Sequence, residues 1–173
     1  RAGLLLGGGG MQQPMMNGGM MMQQPMINGG MMMQQPMMGT QRQVNPPEGA
    51  RRYSSVWAHE RIGTGHARSM LNSQQAWSAA QNTHNQFMII DIGHVSTIAG
   101  VVTQGRQTKA QQWVTSFTCE YSIDGYNFQP VDGRRVFQGN RDGHTQKNSL
   151  FTVPVQARAT KIIPRAWYKH ISM

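Results

Sequence analysis

A chain of 173 residues, 38% hydrophobic and 8% aromatic, has material for one core and an appendage but not for two domains. Its formal charge of +9 is uneven, because all seven acidic residues and fifteen of the sixteen basic ones lie beyond residue 41. A basic domain favours anionic partners, but Arg61, Arg68, Arg106, Lys109, Arg134, Arg135, Arg141 and Lys161 are scattered. No interleaved stacking aromatics or recognition-helix pattern accompanies them, which argues against nucleic acid as the partner.

Arg1 to Leu6 contains an apolar run too short for a signal-peptide core or a membrane span. Residues 11–40 repeat with a period of eleven: Met-Gln-Gln-Pro recurs at Met11, Met22 and Met33, and Asn-Gly-Gly at Asn17 and Asn28. An eleven-residue period can drive a right-handed helical supercoil. Here Pro14, Pro25 and Pro36, with the pairs Gly18-Gly19 and Gly29-Gly30, would break a helix about every two turns. Residues 1–50 are therefore expected to form a low-complexity, extended tail and hinge, with Asn45 to Ala50 leading into a domain that spans residues 51–173. Twelve of the fifteen methionines lie in this tail, and their adaptable side chains suit burial against a partner.

Beyond Arg51 the pattern is one of short strands and turns. Phe87–Ile92 is an apolar run bounded by Asn85 and Gly93, Ile98–Thr103 is a second, and Val114–Ile123 alternates before Asp124-Gly125. Further turns are expected at Val131-Asp132-Gly133 and Gln138-Gly139-Asn140, and a late strand at Ala159–Ile163 ended by Pro164. Such spacing predicts an all-β sandwich or barrel. The single cysteine, Cys119, alternates with Phe117 and Tyr121, so it is expected to be buried. One cysteine excludes an intrachain disulfide and weakly favours an intracellular compartment.

Catalytic chemistry finds little support in the residue pattern. Asp124, Asp132 and Asp142 each precede a glycine and read as turn formers, and Asp91 sits inside an apolar strand. His59, His66, His84, His94, His144 and His170 show no metal-ligand spacing, and no cofactor or obligatory metal is expected.

Several blocks together resemble the discoidin (coagulation factor 5/8 type C) family. They are Ser54 to Trp57 (SSVW), His66 to Trp77 (HARSMLNSQQAW), Asn85 to Gly93 (NQFMIIDIG), Val101 to Arg106 (VVTQGR) and Trp113 to Gly125 (WVTSFTCEYSIDG). Val136 to Thr145 (VFQGNRDGHT), Pro154 to Arg158 (PVQAR) and Ile162 to Met173 (IIPRAWYKHISM) follow in the family's order. The resemblance implies an antiparallel, jelly-roll-like β-sandwich of the galactose-binding-like type. The family usually closes with a further strand of the form Arg-x-Glu-Leu-x-Gly, and extracellular members often join their two ends by a disulfide. This domain is expected to lack that last strand, and it has no cysteine near either end; the compartment is left open, since the missing cysteines weakly favour an intracellular one and the resemblance also allows an extracellular one.

The resemblance also implies a non-catalytic binding or adhesion module whose loops carry the recognition surface. One loop offers Trp57, His59, Glu60 and Arg61, and the other, after Gln104-Gly105, offers Arg106, Gln107, Thr108 and Lys109. Trp57 can cover a sugar face while Arg106 pairs with an anionic group, although either residue can equally serve the fold. Trp77, Trp113 and Trp167 are assigned to the core or its rim. Three partners follow: a glycan or glycoconjugate, neighbouring subunits of an assembly that would also order the tail, and, with least support, an anionic membrane met by Val56 and Trp57.

Overall fold

The computed structural model describes residues 1–8, 40–108 and 110–173; the eleven-residue repeats and Lys109 lie outside them. Eight strands follow in chain order: β1 Ala2–Leu6, β2 Arg42–Val44, β3 Arg51–Tyr53, β4 Met88–Thr103, β5 Trp113–Ser122, β6 Gln129–Pro130, β7 Phe137–Gln138 and β8 Lys147–Tyr168. They form one antiparallel sheet of order β2-β1-β4-β8-β5-β6, with β3 on β4 and β7 on β5.

The sheet becomes a sandwich because β4 and β8 are long and bend through both layers. The first part of β4 pairs β3 and the far end of β8, Met88 opposite Ile162; its last part pairs β1 and the near end of β8, Thr103 opposite Lys147. The β4–β8 register breaks between Asp91 and Ser96 and again between Ile98 and Gly100. At the first break Gly93 has φ +80°, a conformation that costs glycine little and other residues much. The two strands expected at Phe87–Ile92 and Ile98–Thr103 are therefore halves of one bent strand. The late strand likewise does not end at Pro164, since β8 runs on to Tyr168. Proline is tolerated there because it coincides with the bulge between Ser116 and Phe117 of β5.

Between the layers lies the core: Leu4, Trp77, Met88, Ile90, Ile98, Val101, Phe117, Ile162, Ile171 and Met173 are fully buried. Cys119 is buried on β5 beside Phe117 and unpaired, and burial pushes its thiol well above the usual range. Trp77 stacks on Tyr53, with ring centroids 5.6 Å apart, and its indole N–H donates to Ser55 O at 2.8 Å.

The sheet also extends beyond the boundary expected at Arg51. Residues 2–6 are seated between β2 and β4 rather than outside the domain. Ala2 and Leu4 face the main core, while Leu5 packs with Val102 and Leu71 on the outer side. A strand buried on both faces reads as a continuous apolar run without alternation, which is why Gly3-Leu4-Leu5-Leu6 gives no strand signal. Arg51, the expected domain start, has no exposed surface. Its guanidinium donates to Ala2 O at 2.8 Å, Ser69 O at 2.9 Å, Pro46 O at 2.8 Å and Asn45 Oδ1 at 3.0 Å. It therefore ties β1, the segment after β2 and the loop at Ser69 together.

The aspartates before glycine build turns. Asp124 accepts from the N–H groups of Asn127 and Tyr126, each at 2.8 Å, and these bonds hold its carboxyl far below the usual range. Burial raises Asp91 and Asp142, but hydrogen bonds outweigh it and leave both lowered: from Arg158 and the Gly93 N–H at Asp91, and from the Thr145 and His144 N–H groups at Asp142. A depressed carboxyl binds protons less readily folded than unfolded, so its contribution is complete above the unfolded pKa and lost as pH falls through the folded one. The melting temperature should be level above about pH 5 and decline below about pH 4. Asp124→Asn should flatten that decline in thermal melts, and an unchanged slope would show that this turn does not supply it.

Candidate functional site

The loop that carries Trp57 leaves β3 and is pinned at its start, where the Trp57 N–H donates to Ser78 O at 2.9 Å. Ala58 and His59 then take φ +55° and +53°, left-handed conformations that cost a residue with a side chain roughly 1–2 kcal/mol each. The turn leaves the Trp57 indole 49% exposed, too open for a core side chain. Its ring meets that of His170 edge-on, with centroids 5.5 Å apart.

Arg106 arrives from the loop after β4. Gly105 is required there because a Cβ would stand 2.5 Å from Asp142 O and 2.7 Å from the Cβ of Trp113. Three side chains hold the guanidinium: Nε donates to Gln75 Oε1 at 2.7 Å, Nη1 to Gln112 Oε1 at 2.8 Å, and Nη2 lies 3.2 Å from His66 Nε2. The other ring nitrogen of His66, Nδ1, is 2.8 Å from Glu60 Oε2, and the same carboxylate accepts the His66 backbone N–H. A neutral imidazole satisfies both sides, donating through Nδ1 to Glu60 and accepting through Nε2 from Arg106. The His66 backbone N–H is the main cause holding Glu60 below its usual range; burial opposes it, and the His66 ring and the Arg106 charge assist. Burial lowers Arg106 while Glu60 raises it, and a guanidinium stays cationic throughout.

Trp57, His66, Ser78, Arg106, Gln112 and His170 enclose an open cavity of about 230 Å³. Ser78 Oγ lies 2.8 Å from Ser172 Oγ, which donates to Gln112 Oε1 at 3.1 Å, and His170 Nε2 lies 2.8 Å from Ala79 O. Three of the five guanidinium N–H donors of Arg106 are engaged by these neighbours, which leaves two for a ligand. The cavity thus offers an aromatic wall, a positioned cation and several polar groups, a combination suited to a polar ring with hydroxyl or anionic substituents.

The structure brings together Trp57 and Arg106, with Glu60 behind them as the brace of His66. It does not bring His59, Arg61 or Gln107 into the cavity; all three are exposed outside it. Lys109 lies outside the described residues. Sequence reading missed His66, Ser78, Gln112 and His170 as lining groups, although His66 and His170 stand within blocks that carry the family resemblance. Histidines weighed only for metal-ligand spacing give no hint of a shared wall. Among the described residues no three His, Cys, Asp or Glu side chains gather in a metal-holding cluster, and no helix is long and apolar enough to cross a membrane.

A β-sandwich with a shallow polar and aromatic pocket between its loops is the architecture of a ligand-binding module. The F5/8 type C domain model matches residues 52–173, and the chain belongs to that family. It is 32% identical over 110 residues to neurexin-4 of Drosophila melanogaster, a match covering 61% of this chain and 8% of that protein. It is 31% identical over 104 residues to lactadherin of Bos taurus, covering 57% and 24% respectively. The chain thus matches a minor part of these curated relatives. Among solved structures it is similar to discoidin II of Dictyostelium discoideum, with a TM-score of 0.55 and 25% identity over 70% of this chain and 51% of that one. A Clostridium perfringens module solved with GalNAc-β-1,3-galactose shares the fold, with a TM-score of 0.53 and 15% identity over 72% and 93%.

Proposed function

We propose that the chain is a non-catalytic binding module that takes a terminal sugar of a glycan or glycoconjugate into the cavity beside Trp57 and Arg106. The observation that carries this reading is the half-exposed Trp57 indole set across a small cavity from a guanidinium that three neighbours fix in place. An indole face covers the apolar face of a sugar ring, and the free N–H groups of Arg106 meet its hydroxyls or an acidic substituent. A cavity of about 230 Å³ lies below the usual range of drug-sized pockets, so one ring enters and the rest of the glycan stays outside. That a sandwich of this fold is solved with a disaccharide lends support.

A glycan array followed by calorimetric titration tests the reading. Trp57→Ala should weaken binding by about tenfold or more, or about 1.4 kcal/mol, with little change in melting temperature. Arg106→Ala should weaken binding at least as much and also lower the melting temperature modestly, because Gln75, Gln112 and His66 lose a partner. Absence of binding to neutral and acidic sugars alike would overturn the reading, as would a Trp57→Ala variant that binds normally.

A second reading is favoured by one observation. Ile62, also 49% exposed, follows Trp57 and Arg61 on the same loop, and two exposed apolar side chains beside a cation suit the headgroup region of an anionic membrane. Co-sedimentation with liposomes that contain acidic lipid distinguishes it, since Ile62→Ser should reduce membrane binding and leave sugar binding intact.

A further inference from the structure

We propose that the end of the sandwich opposite the sugar cavity carries a second ligand site, an oxyanion pocket built by Arg52 and Arg158. It takes a sulfate or phosphate monoester whose organic part lies over Tyr126. The site stands apart from the sugar cavity. β5 runs from Trp113, next to the cavity-lining Gln112, to Ser122, and its ten residues carry the turn at Asp124-Gly125 roughly 30 Å further along the sandwich.

The strands bring the two arginines together. Side chains alternate along β3, so Arg51 turns into the core and Arg52 turns out to solvent. Arg158 lies on β8 at the corner where the β4–β8 register breaks between Asp91 and Ser96, one residue past the pairing of Ala159 with Ser122 that ends β5. A Cβ on Gly125 would stand 3.2 Å from Asp91 Oδ2 and 3.8 Å from both Arg158 Nε and Arg52 Nη2, so the two guanidiniums converge on one turn. With Gly49, Ala50, Asp91 and Gly93 they line an open cavity of about 350 Å³, a volume in the usual range for small-molecule sites.

The fold does not use up these cations. Arg52 Nη2 donates to Gly125 O at 2.6 Å and Arg158 Nε to Asp91 Oδ1 at 2.9 Å. Among the described residues each guanidinium makes that one hydrogen bond, which leaves four of its five N–H donors for a ligand. Arg51 next door shows the contrast, with every guanidinium nitrogen engaged by the protein. Among the described residues Asp91 is the one carboxylate that lines the cavity, and its Oδ1 also accepts the Gly93 N–H at 2.8 Å. Asp124 adds to the field on Arg158, but its oxygens are taken up by Ser122, Tyr126 and Asn127. Two forks therefore face one available carboxylate. A further carboxylate offers two oxygens and fills one fork, whereas a sulfate or phosphate ester offers three and can bridge both. The Tyr126 ring is 76% exposed, with its centroid 5.7 Å from Arg52 Cζ, and gives the organic part of the ester an apolar face beside the cations.

The test titrates the isotope-labelled whole chain by NMR with phenyl phosphate and, separately, with phenyl sulfate. The pH is about 7.5, where a phosphate monoester carries close to two charges. Saturable shifts in the millimolar range are expected at the Gly93, Gly125 and Tyr126 amides and at the Nε–H groups of Arg52 and Arg158. A response to one ester alone names the source as sulfate or phosphate; a response to both makes the oxyanion itself the determinant. Arg52→Gln and Arg158→Gln should each weaken binding by about tenfold. Arg141→Gln removes the same charge from an exposed loop and should change binding by less than about twofold. Three results would overturn the proposal: no saturable shift with either ester up to about 20 mM, shifts confined to Trp57, Arg106 and their neighbours, or equal weakening by all three substitutions. Circular dichroism checks that each variant folds. If Arg158→Gln, which frees Asp91, does not fold, Arg52→Gln decides, since it removes a single hydrogen bond at the surface.

Discussion

Ile90→Asp should abolish cooperative folding. Ile90 is fully buried at the middle of the first half of β4, opposite Arg51 of β3 and Thr160 of β8, so the substitution removes an apolar side chain and leaves a carboxylate in the core. No compensating cation is in place, because the guanidinium of Arg51 is already committed to the carbonyls of Ala2, Ser69 and Pro46. The cost of an unpaired buried charge exceeds about 4–5 kcal/mol, against a total stability of about 5–15 kcal/mol for a domain. Far-ultraviolet circular dichroism should show no cooperative melt, and proton NMR should lose its dispersion. Ile90→Val, which costs only about 0.5–1.5 kcal/mol, should retain both. A cooperative melt of the aspartate variant near the wild-type temperature would refute the place given to β4 in the core.

Arg51→Leu carries the second largest expected effect. The guanidinium has all of its donors engaged by backbone or side-chain oxygens in the protein, and Glu48 Oε2 is 3.9 Å away. Burial lowers its pKa while Glu48 raises it, and an arginine nonetheless stays charged. Leucine would take the guanidinium donors from the carbonyls of Ala2 and Pro46, would leave Asn45 Oδ1 with only the Leu71 N–H, and would leave Glu48 facing the gap. Removing one partner from a buried charged network costs about 3–5 kcal/mol, which lowers the melting temperature by roughly 10–15 °C at this size. Because Arg51 clasps Ala2, hydrogen exchange of β1 should accelerate more than that of β5. Arg51→Lys should recover part of the loss, since an ammonium reaches some of the same oxygens without the fork. Equal melting of the leucine variant and the wild type would mean that these hydrogen bonds contribute nothing net.

The strands that alternate or sit between clear turn residues were legible from the residue pattern alone: β5 falls within one residue of its expected bounds, and Asp124-Gly125 makes the expected turn. Two features were not legible, for different reasons. β1 lacks alternation because both its faces are covered, so local pattern assigns it to the low-complexity segment that follows. The continuity of β8 through Pro164 depends on a bulge in its neighbour, which no reading of β8 alone contains. In the site, Trp57 and Arg106 stand out because each is a distinctive residue in a loop of a recognisable block. His66 and Ser78 lie further along the connection that carries Trp57, Gln112 ends the loop that carries Arg106, and His170 follows β8, so they converge only once the sandwich is closed. His59, in the left-handed turn with Ala58, is exposed and is not among the residues that line the cavity.

The isolation of Cys119 supplies a clock for the opening of the domain. The sulfur lies 1% exposed at the middle of β5, opposite Ile162 of β8, and is the single thiol in the chain. A maleimide or disulfide reagent added in excess cannot reach it while β5 and β8 remain zipped, so labelling reports each excursion that parts them. The rate, followed by intact mass without any substitution, measures the frequency of core opening directly, and the same label read in the presence of a sugar shows how far ligand binding slows it.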